Sequence, residues 1–288
     1  MPIYKSERLF HILNGLFFTV LSLSMFAPML HVLAVSLSSN EYVKLNQVFI
    51  WPKGFNTSVY QIILTQAHMW RAMAVTCFIT IMGTLAYLFF TSTMAFSLSR
   101  SMMPARKLIL KLIIVTFIFS VPLIPKFLVI KNLGMINTYW ALILPGAVGA
   151  FGVIIMKTFF QGISAELFDA ASIDGCSEFG IFARITIPLS LPVFATLGLF
   201  HAVGEWNSYF DALIYIRDKQ MYPLQIILRG IVQDSQLSLE FDQSQILEHT
   251  VESMKSAVII FATGPIILVY PFLQKYFVKG ANVGSLKE

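Results

Sequence analysis

The sequence predicts an all-α, polytopic membrane protein with six transmembrane helices. Three observations carry that prediction: the composition, six apolar runs long enough to span a bilayer, and basic residues gathered at the ends of those runs. Of the 288 residues, 57% are hydrophobic and only 12% are charged, with a mean hydropathy of +0.74. A soluble domain carries roughly a quarter charged residues, because its surface faces water. Here the apolar side chains are too many for one buried core, and the surplus needs lipid as its solvent.

A helix requires about 20 apolar residues to cross the hydrocarbon core. The first run, Ile12 to Leu37, follows Lys5 and Arg8. It is too long for the h-region of a signal peptide and lacks an Ala-x-Ala-like site, so an uncleaved anchor is expected. A polar segment, Ser38 to Arg71, then carries Trp51 and Trp70, residues suited to an interfacial belt. The second run is Ala72 to Leu98, and the short basic hairpin Arg100 to Lys107 leads into the third, Leu108 to Ile130. Pro122 and Pro125 there, and Pro145 in the fourth run (Tyr139 to Phe160), predict kinks or breaks. Gly146, Gly149 and Gly152 form a small-residue stripe that predicts close helix packing. The fifth run is Pro188 to Ile216, and the sixth is Ser256 to Phe277. Between them lies the longest polar segment, Arg217 to Lys255, with the acidic residues Asp234, Glu240, Asp242, Glu248 and Glu252. The runs are too long and too uniformly apolar for barrel strands.

Six spans put both termini on one side. Eleven of the 20 Lys and Arg residues fall on that side. The basic hairpin and Lys275, Lys279 and Lys287 lie close to span ends, where charge decides orientation, so both termini are expected in the cytoplasm. The net charge of +5 is no nucleic-acid signature, since no Lys/Arg block is interleaved with aromatics. Cys77 and Cys176 lie in dissimilar surroundings and predict no disulfide. The five histidines lack metal-ligand spacing, and neither Gly-x-Ser-x-Gly nor His-Glu-x-x-His occurs. A P-loop, Gly-x-x-x-x-Gly-Lys-Ser/Thr, is also missing, so this chain is not expected to be an enzyme or to hold ATP.

The segment from Gln161 to Ile187 carries the most information. Ser164 is a good N-cap, and Glu166 and Asp169 place negative charge in the first turns. Asp174-Gly175 supplies a break, and Ser177 can start a second short helix. Pro188 is compatible with the first turn of the next span. The expected result is a short helix, about three turns, lying parallel to the membrane. A helix resting on headgroups is one reading, but interfacial anchors are rich in Lys and Arg whereas this one is acidic. A protein partner fits better, with Ala170 and Ala171 small enough to let its surface approach.

Asp169-Ala-Ala-x-x-Asp-Gly175, followed after nine intervening residues by Ile185-x-Ile-Pro188, resembles the EAA loop of bacterial ABC importer permeases. Asp169 stands for the leading Glu and Ile187 for Leu. Glu205-Trp206-Asn207-x-Tyr209-Phe210, Tyr222-Pro223-Leu224, Trp51-Pro52 with Tyr60, and the ending Tyr270 to Gly280 are similar to the carbohydrate-uptake subfamily. The whole looks like the six-span permease of the maltose-importer type, which implies the type I (MetI-like) fold. The resemblance implies one permease domain over residues 1–288, with a core of approximately 70–278, an added N-terminal span at 10–37 and a coupling helix at 164–182. Glu166, Asp169, Ala170, Ala171, Asp174, Gly175 and Phe179 would then meet a cytoplasmic ATPase. It further implies a second, homologous permease, two ATP-binding subunits that carry ATP and Mg while this chain carries no cofactor, and an extracytoplasmic solute-binding protein touching Arg217 to Lys255. The tail from Lys279 to Glu288 would reach toward the ATPases. The chain would be a multi-pass protein of the bacterial cytoplasmic membrane, its spans rocked by ATP-driven closure.

Carboxylates at membrane depth are functional candidates. Glu205 and Asp211 could line a sugar pathway, accept a proton or pair with a basic residue. Trp206, Asn207 and Tyr209 suit sugar contacts as well as packing and interhelical hydrogen bonds. Lys126 and Lys131 could attract an acidic oligosaccharide, such as an alginate or pectin oligomer, or snorkel to headgroups. The sequence therefore points to an ATP-driven oligosaccharide importer, with a proton-coupled carrier using Glu205 as the alternative.

Overall fold

The structure, a computed structural model, describes residues 5–119, 121–233 and 249–284. The described residues are helical or irregular, with no strand among them. Among the described residues, three helices are long and apolar enough to cross a membrane alone, and three bent helix pairs bring the number to six if each pair is one span.

The first span is α1 (Lys5–Ser36), whose apolar residues from Leu9 to Leu33 are mostly exposed. Exposed apolar surface of this kind is what lipid solvates. Two short helices follow, α2 (Asn40–Lys44) and α3 (Ser58–Thr65). The second span is α4 (Ala67–Ser99), 33 residues or ~50 Å long, more than the hydrocarbon core requires. The third is broken between α5 (Arg106–Ile118) and α6 (Leu123–Asn132), with Pro122 as the cap of the second half. In the fourth, α7 (Trp140–Ile143) runs into a tight turn at Leu144–Gly146, and α8 (Ala150–Gln161) resumes at a 46° bend. The proline-based expectation of breaks holds at Pro122 and Pro145.

After α8 come α9 (Ala165–Ile173), α10 (Glu178–Ile181), a π-helical turn at Phe182–Thr186, and α11 (Ile187–Leu189). The fifth span differs from the expected Pro188 to Ile216. Pro188 stays within α11, and an 80° bend at Ser190 separates it from α12 (Leu191–Asn207). Pro192 opens α12, and its missing N–H and bulky ring exclude a continuous helix through Pro188. At the far end α12 stops at Ser208, and a separate helix, α13 (Phe210–Tyr215), carries Asp211. Asn207 Nδ2 donates to the Val203 carbonyl at 2.8 Å, competing with the backbone for its helical acceptor. Then come α14 (Leu224–Val232) and the long α15 (Val251–Gly284). Asp234, Glu240, Asp242 and Glu248 of the acidic segment lie outside the described residues, as do 285–288 of the tail.

The chain divides into two compact parts, Met1–Trp70 with Ile227–Pro265, and Arg71–Ile226 with Ile266–Glu288. In the first, Ala34, Val35, Val43 and Val48 form a small core. Ser38 Oγ accepts from the Lys53 amide at 3.0 Å, and the Asn40 carboxamide accepts from the Thr250 amide at 3.2 Å. Trp51 is 81% exposed, as suits an interfacial residue.

The second part holds two cores. One gathers Tyr87, Leu98, Met156, Phe160, Phe168, Ile181 and Phe182, the other Val75, Ile130, Leu142, Ala212 and Tyr215. Asn137, at φ +62, accepts from the Arg217 and Asp218 amides at 3.0 Å each. Its own amide donates to the Tyr215 carbonyl at 2.8 Å. That clasp fixes the end of α13, and so places Asp211.

Candidate functional site

Two sites emerge, both within the second compact part. The first is the segment around α9. Ser164 caps it by accepting from the Glu166 amide at 3.2 Å. Its far end closes with Gly175 at φ +81, the Gly175 amide reaching the Ser172 carbonyl at 3.1 Å and the Cys176 amide reaching Ala171 at 2.9 Å. This pair of bonds is the Schellman closure, which satisfies carbonyls left over at a helix end. Ser177 then caps α10 through the Gly180 amide at 3.2 Å. The local punctuation expected from the sequence is all present.

Phe168 and Ala171 turn inward and pack against Ile181 and Phe182. Glu166, Asp169, Ala170, Asp174 and Gly175 turn outward, together with Leu167, Ile173 (87% exposed) and Phe179 (71%). Ala171, expected on the face that meets an ATPase, lies instead on the inward side of α9. At 8% exposure its small size serves the close seating of α9 on its own core, whereas Ala170 is exposed. Arg100, read from the sequence as an orienting charge, belongs to this site. Its guanidinium lies 4.7 Å from the Phe168 ring centroid and 3.3 Å from Glu178 Oε1. A cleft beside α9 is lined by Arg100, Arg106, Asp169 and Glu178 among others. Contacts 68 residues apart in the chain leave no local signature in sequence.

The second site lies where α4, the broken fourth span, α12 and α13 meet. A cavity is lined by Thr76, Ile79, Leu142, Glu205, Ser208, Asp211, Ala212 and Pro223, so both candidate carboxylates face one space. Asp211 is paired: Lys126 Nζ donates to its two oxygens at 3.2 and 3.0 Å. Lys126 is accordingly engaged with a carboxylate and is not a lone cation. Trp206 is buried, Asn207 is exposed and turned back on Val203, and Tyr209 is half-buried as the cap of α13. None of these three is among the residues lining the cavity, which Glu205 and Asp211 do line.

Glu205 sits in a socket made by glycines. A Cβ on Gly83 would stand 3.6 Å from Glu205 Cγ, and one on Gly146 would stand 3.3 Å from Glu205 Oε1. His201, one turn earlier, stacks on Tyr87 with ring centroids 4.2 Å apart, and its Nε2 lies 3.8 Å from Glu205 Oε1. Gly149 and Gly152 face Tyr87, whose hydroxyl occupies the place a Cβ on Gly152 would take. The glycine stripe thus serves close packing, as expected, and its neighbours are now identified. His201 gave no signal in sequence because a single histidine in an apolar run has no periodic or motif context.

The sequence pattern described as the binding-protein-dependent transport system inner membrane component matches residues 92–283. Protein LplC of Bacillus subtilis (strain 168) is 44% identical over 284 residues, covering 98% of this chain and 96% of that one. The polygalacturonan/rhamnogalacturonan transport system permease protein YtcP of the same strain is 41% identical over 98% of this chain and 99% of its own. A crystal structure of a bacterial ABC transporter involved in import of the acidic polysaccharide alginate contains a similar chain. It superposes with a TM-score of 0.90 at 31% identity, covering 96% of this chain and 100% of the other.

Proposed function

The chain belongs to the family of binding-protein-dependent transport system inner membrane components, the permease subunits of ABC importers, and from that premise we propose that its cargo is an acidic oligosaccharide. Membership decides for the ATP-driven importer over the proton-coupled carrier. One observation carries the cargo assignment: relatives matched over nearly their whole length transport polygalacturonan or the acidic polysaccharide alginate.

In this reading α9 is the coupling helix, and both termini are cytoplasmic. An ATPase seats the outward face made by Leu167, Asp169, Ala170, Ile173 and Phe179. The chain works with a second permease, two ATPase subunits that hold ATP and Mg, and a solute-binding protein. The chain itself supplies no ATP site and no cofactor. Lys126 is committed to Asp211, so the carboxylate left to accept from a sugar hydroxyl is Glu205. At about 20 Å³ the space has room for a water and not for a sugar ring, and cargo enters it only when the spans move apart. Recognition of the cargo's negative charge then falls mainly to the binding protein and the second permease.

The test is ATP hydrolysis by the reconstituted complex. Oligogalacturonate or alginate oligomers, delivered by the binding protein, are expected to stimulate it several-fold, and neutral malto-oligomers of equal length to leave it unchanged. Equal stimulation by the neutral oligomers would remove acidity from the assignment.

A further inference from the structure

An imidazole at membrane depth has to place both ring nitrogens, because an unsatisfied polar atom there is expensive. His201 does so across three spans. Its Nε2 is 3.3 Å from the Gly146 carbonyl oxygen, and its Nδ1 is 3.4 Å from Thr84 Oγ1. A carbonyl only accepts, so Nε2 carries the proton, and Nδ1 accepts from the Thr84 hydroxyl. The ring face is covered by Tyr87, and the side chain is only 12% exposed.

The acceptor on the fourth span is not an ordinary helical carbonyl. Gly146 ends the tight turn Leu144–Gly146, after which helix resumes only at Ala150. A span broken in this way frees carbonyls that need partners from neighbouring helices. His201 supplies one from α12, and one turn further along the same helix Glu205 faces the cavity. The two side chains share the notch opened by Gly83 and Gly146, a Cβ on Gly146 standing 3.6 Å from His201 Nε2 as well as against Glu205. The imidazole thus bridges α12 to the break, with the Glu205 carboxylate 3.8 Å from the same nitrogen.

We propose that His201 is a positioning residue for cargo passage, holding Glu205 at the cavity wall by tying α12 to the break in the fourth span and to Thr84 of α4. The inference rests on the reading of Glu205 as part of the pathway.

The experiment is ATP-driven uptake by the reconstituted full complex. The probe is a galacturonate trimer, or a neutral trimer if that is the one that drives ATP hydrolysis. His201→Ala and Glu205→Gln are each expected to raise KM for uptake about tenfold with kcat little changed, as for loss of a binding contact. The double variant is expected to be no worse than Glu205→Gln alone, because residues that act through one another are non-additive. His201→Gln, whose amide N–H can reach the same carbonyl, is expected to restore most of the affinity. Where His201→Ala fails to assemble, Thr84→Val, which removes the Nδ1 partner, replaces it in the same cycle. Fold-changes that multiply in the double variant would overturn the proposal, since His201 would then act independently of Glu205. Wild-type uptake by Glu205→Gln would overturn both the pathway reading and this inference.

Discussion

At the scale of single residues, glycine decides how closely the spans of the second compact part approach. Gly152 has no room for a Cβ, because the Tyr87 hydroxyl fills that place. Tyr87 cannot simply swing aside, since its ring is stacked on His201. Gly152→Ala is therefore expected to destabilise the folded chain by about 1–3 kcal/mol, the range for overpacking, and to lower the thermal midpoint in detergent. Gly204, on α12, has nothing within 4 Å of its Cβ position. Gly204→Ala should be neutral or slightly stabilising, because alanine has the better helix propensity. Equal midpoints for the two variants would contradict the packing described. The Lys126–Asp211 pair is a different residue-scale feature. Both side chains are about a third exposed, so solvent screening limits its worth to ~1 kcal/mol, and its consequence is the charge of the cavity more than the stability of the fold.

At the scale of elements, α9 has one face packed on its own core and one exposed, and adjacent alanines separate them. Ala170→Arg puts a charge on the outward face and is expected to leave folding intact while uncoupling ATP hydrolysis from uptake. Ala171→Arg drives a charge into the core with Phe168 and Phe182, and is expected to reduce the amount of folded protein by several kcal/mol of stability. Size-exclusion profiles and the ratio of ATP hydrolysed to glycan imported distinguish the two, and uncoupling by neither would contradict the assignment of faces. Much of this element was legible in the sequence, because Ser164, Gly175 and Ser177 act on backbone groups within a few residues of themselves. The phase of the helix was not, since two neighbouring alanines give no amphipathic contrast and only the packing of Phe168 against Ile181 and Phe182 fixes it. The long apolar spans were legible for the same local reason, and so were the breaks at Pro122 and Pro145. The end of α12 at Ser208 was hidden inside a continuous apolar run, where Asn207 turning back on Val203 accompanies it. The pairing of Lys126 with Asp211 and the seat of His201 depend on approach between distant spans, which no window of sequence records.

At the scale of the whole molecule, the chain is a permease subunit of an ABC importer. In the proposed function, its contribution is to turn a push on α9 into movement of the spans around the cavity. Arg100 joins the end of α4 to both Phe168 and Glu178, so the second span, α9 and the helix after it share one contact. That account requires α9 to lie on the cytoplasmic side, beneath an ATPase. The direct measurement is labelling of Ile173→Cys, in a chain whose Cys77 and Cys176 are replaced, by a membrane-impermeant maleimide. Inside-out vesicles stripped of ATPase should label, re-addition of the ATPase should protect, and intact cells should not label. Labelling from the outside, or labelling undiminished by the bound ATPase, would contradict the account.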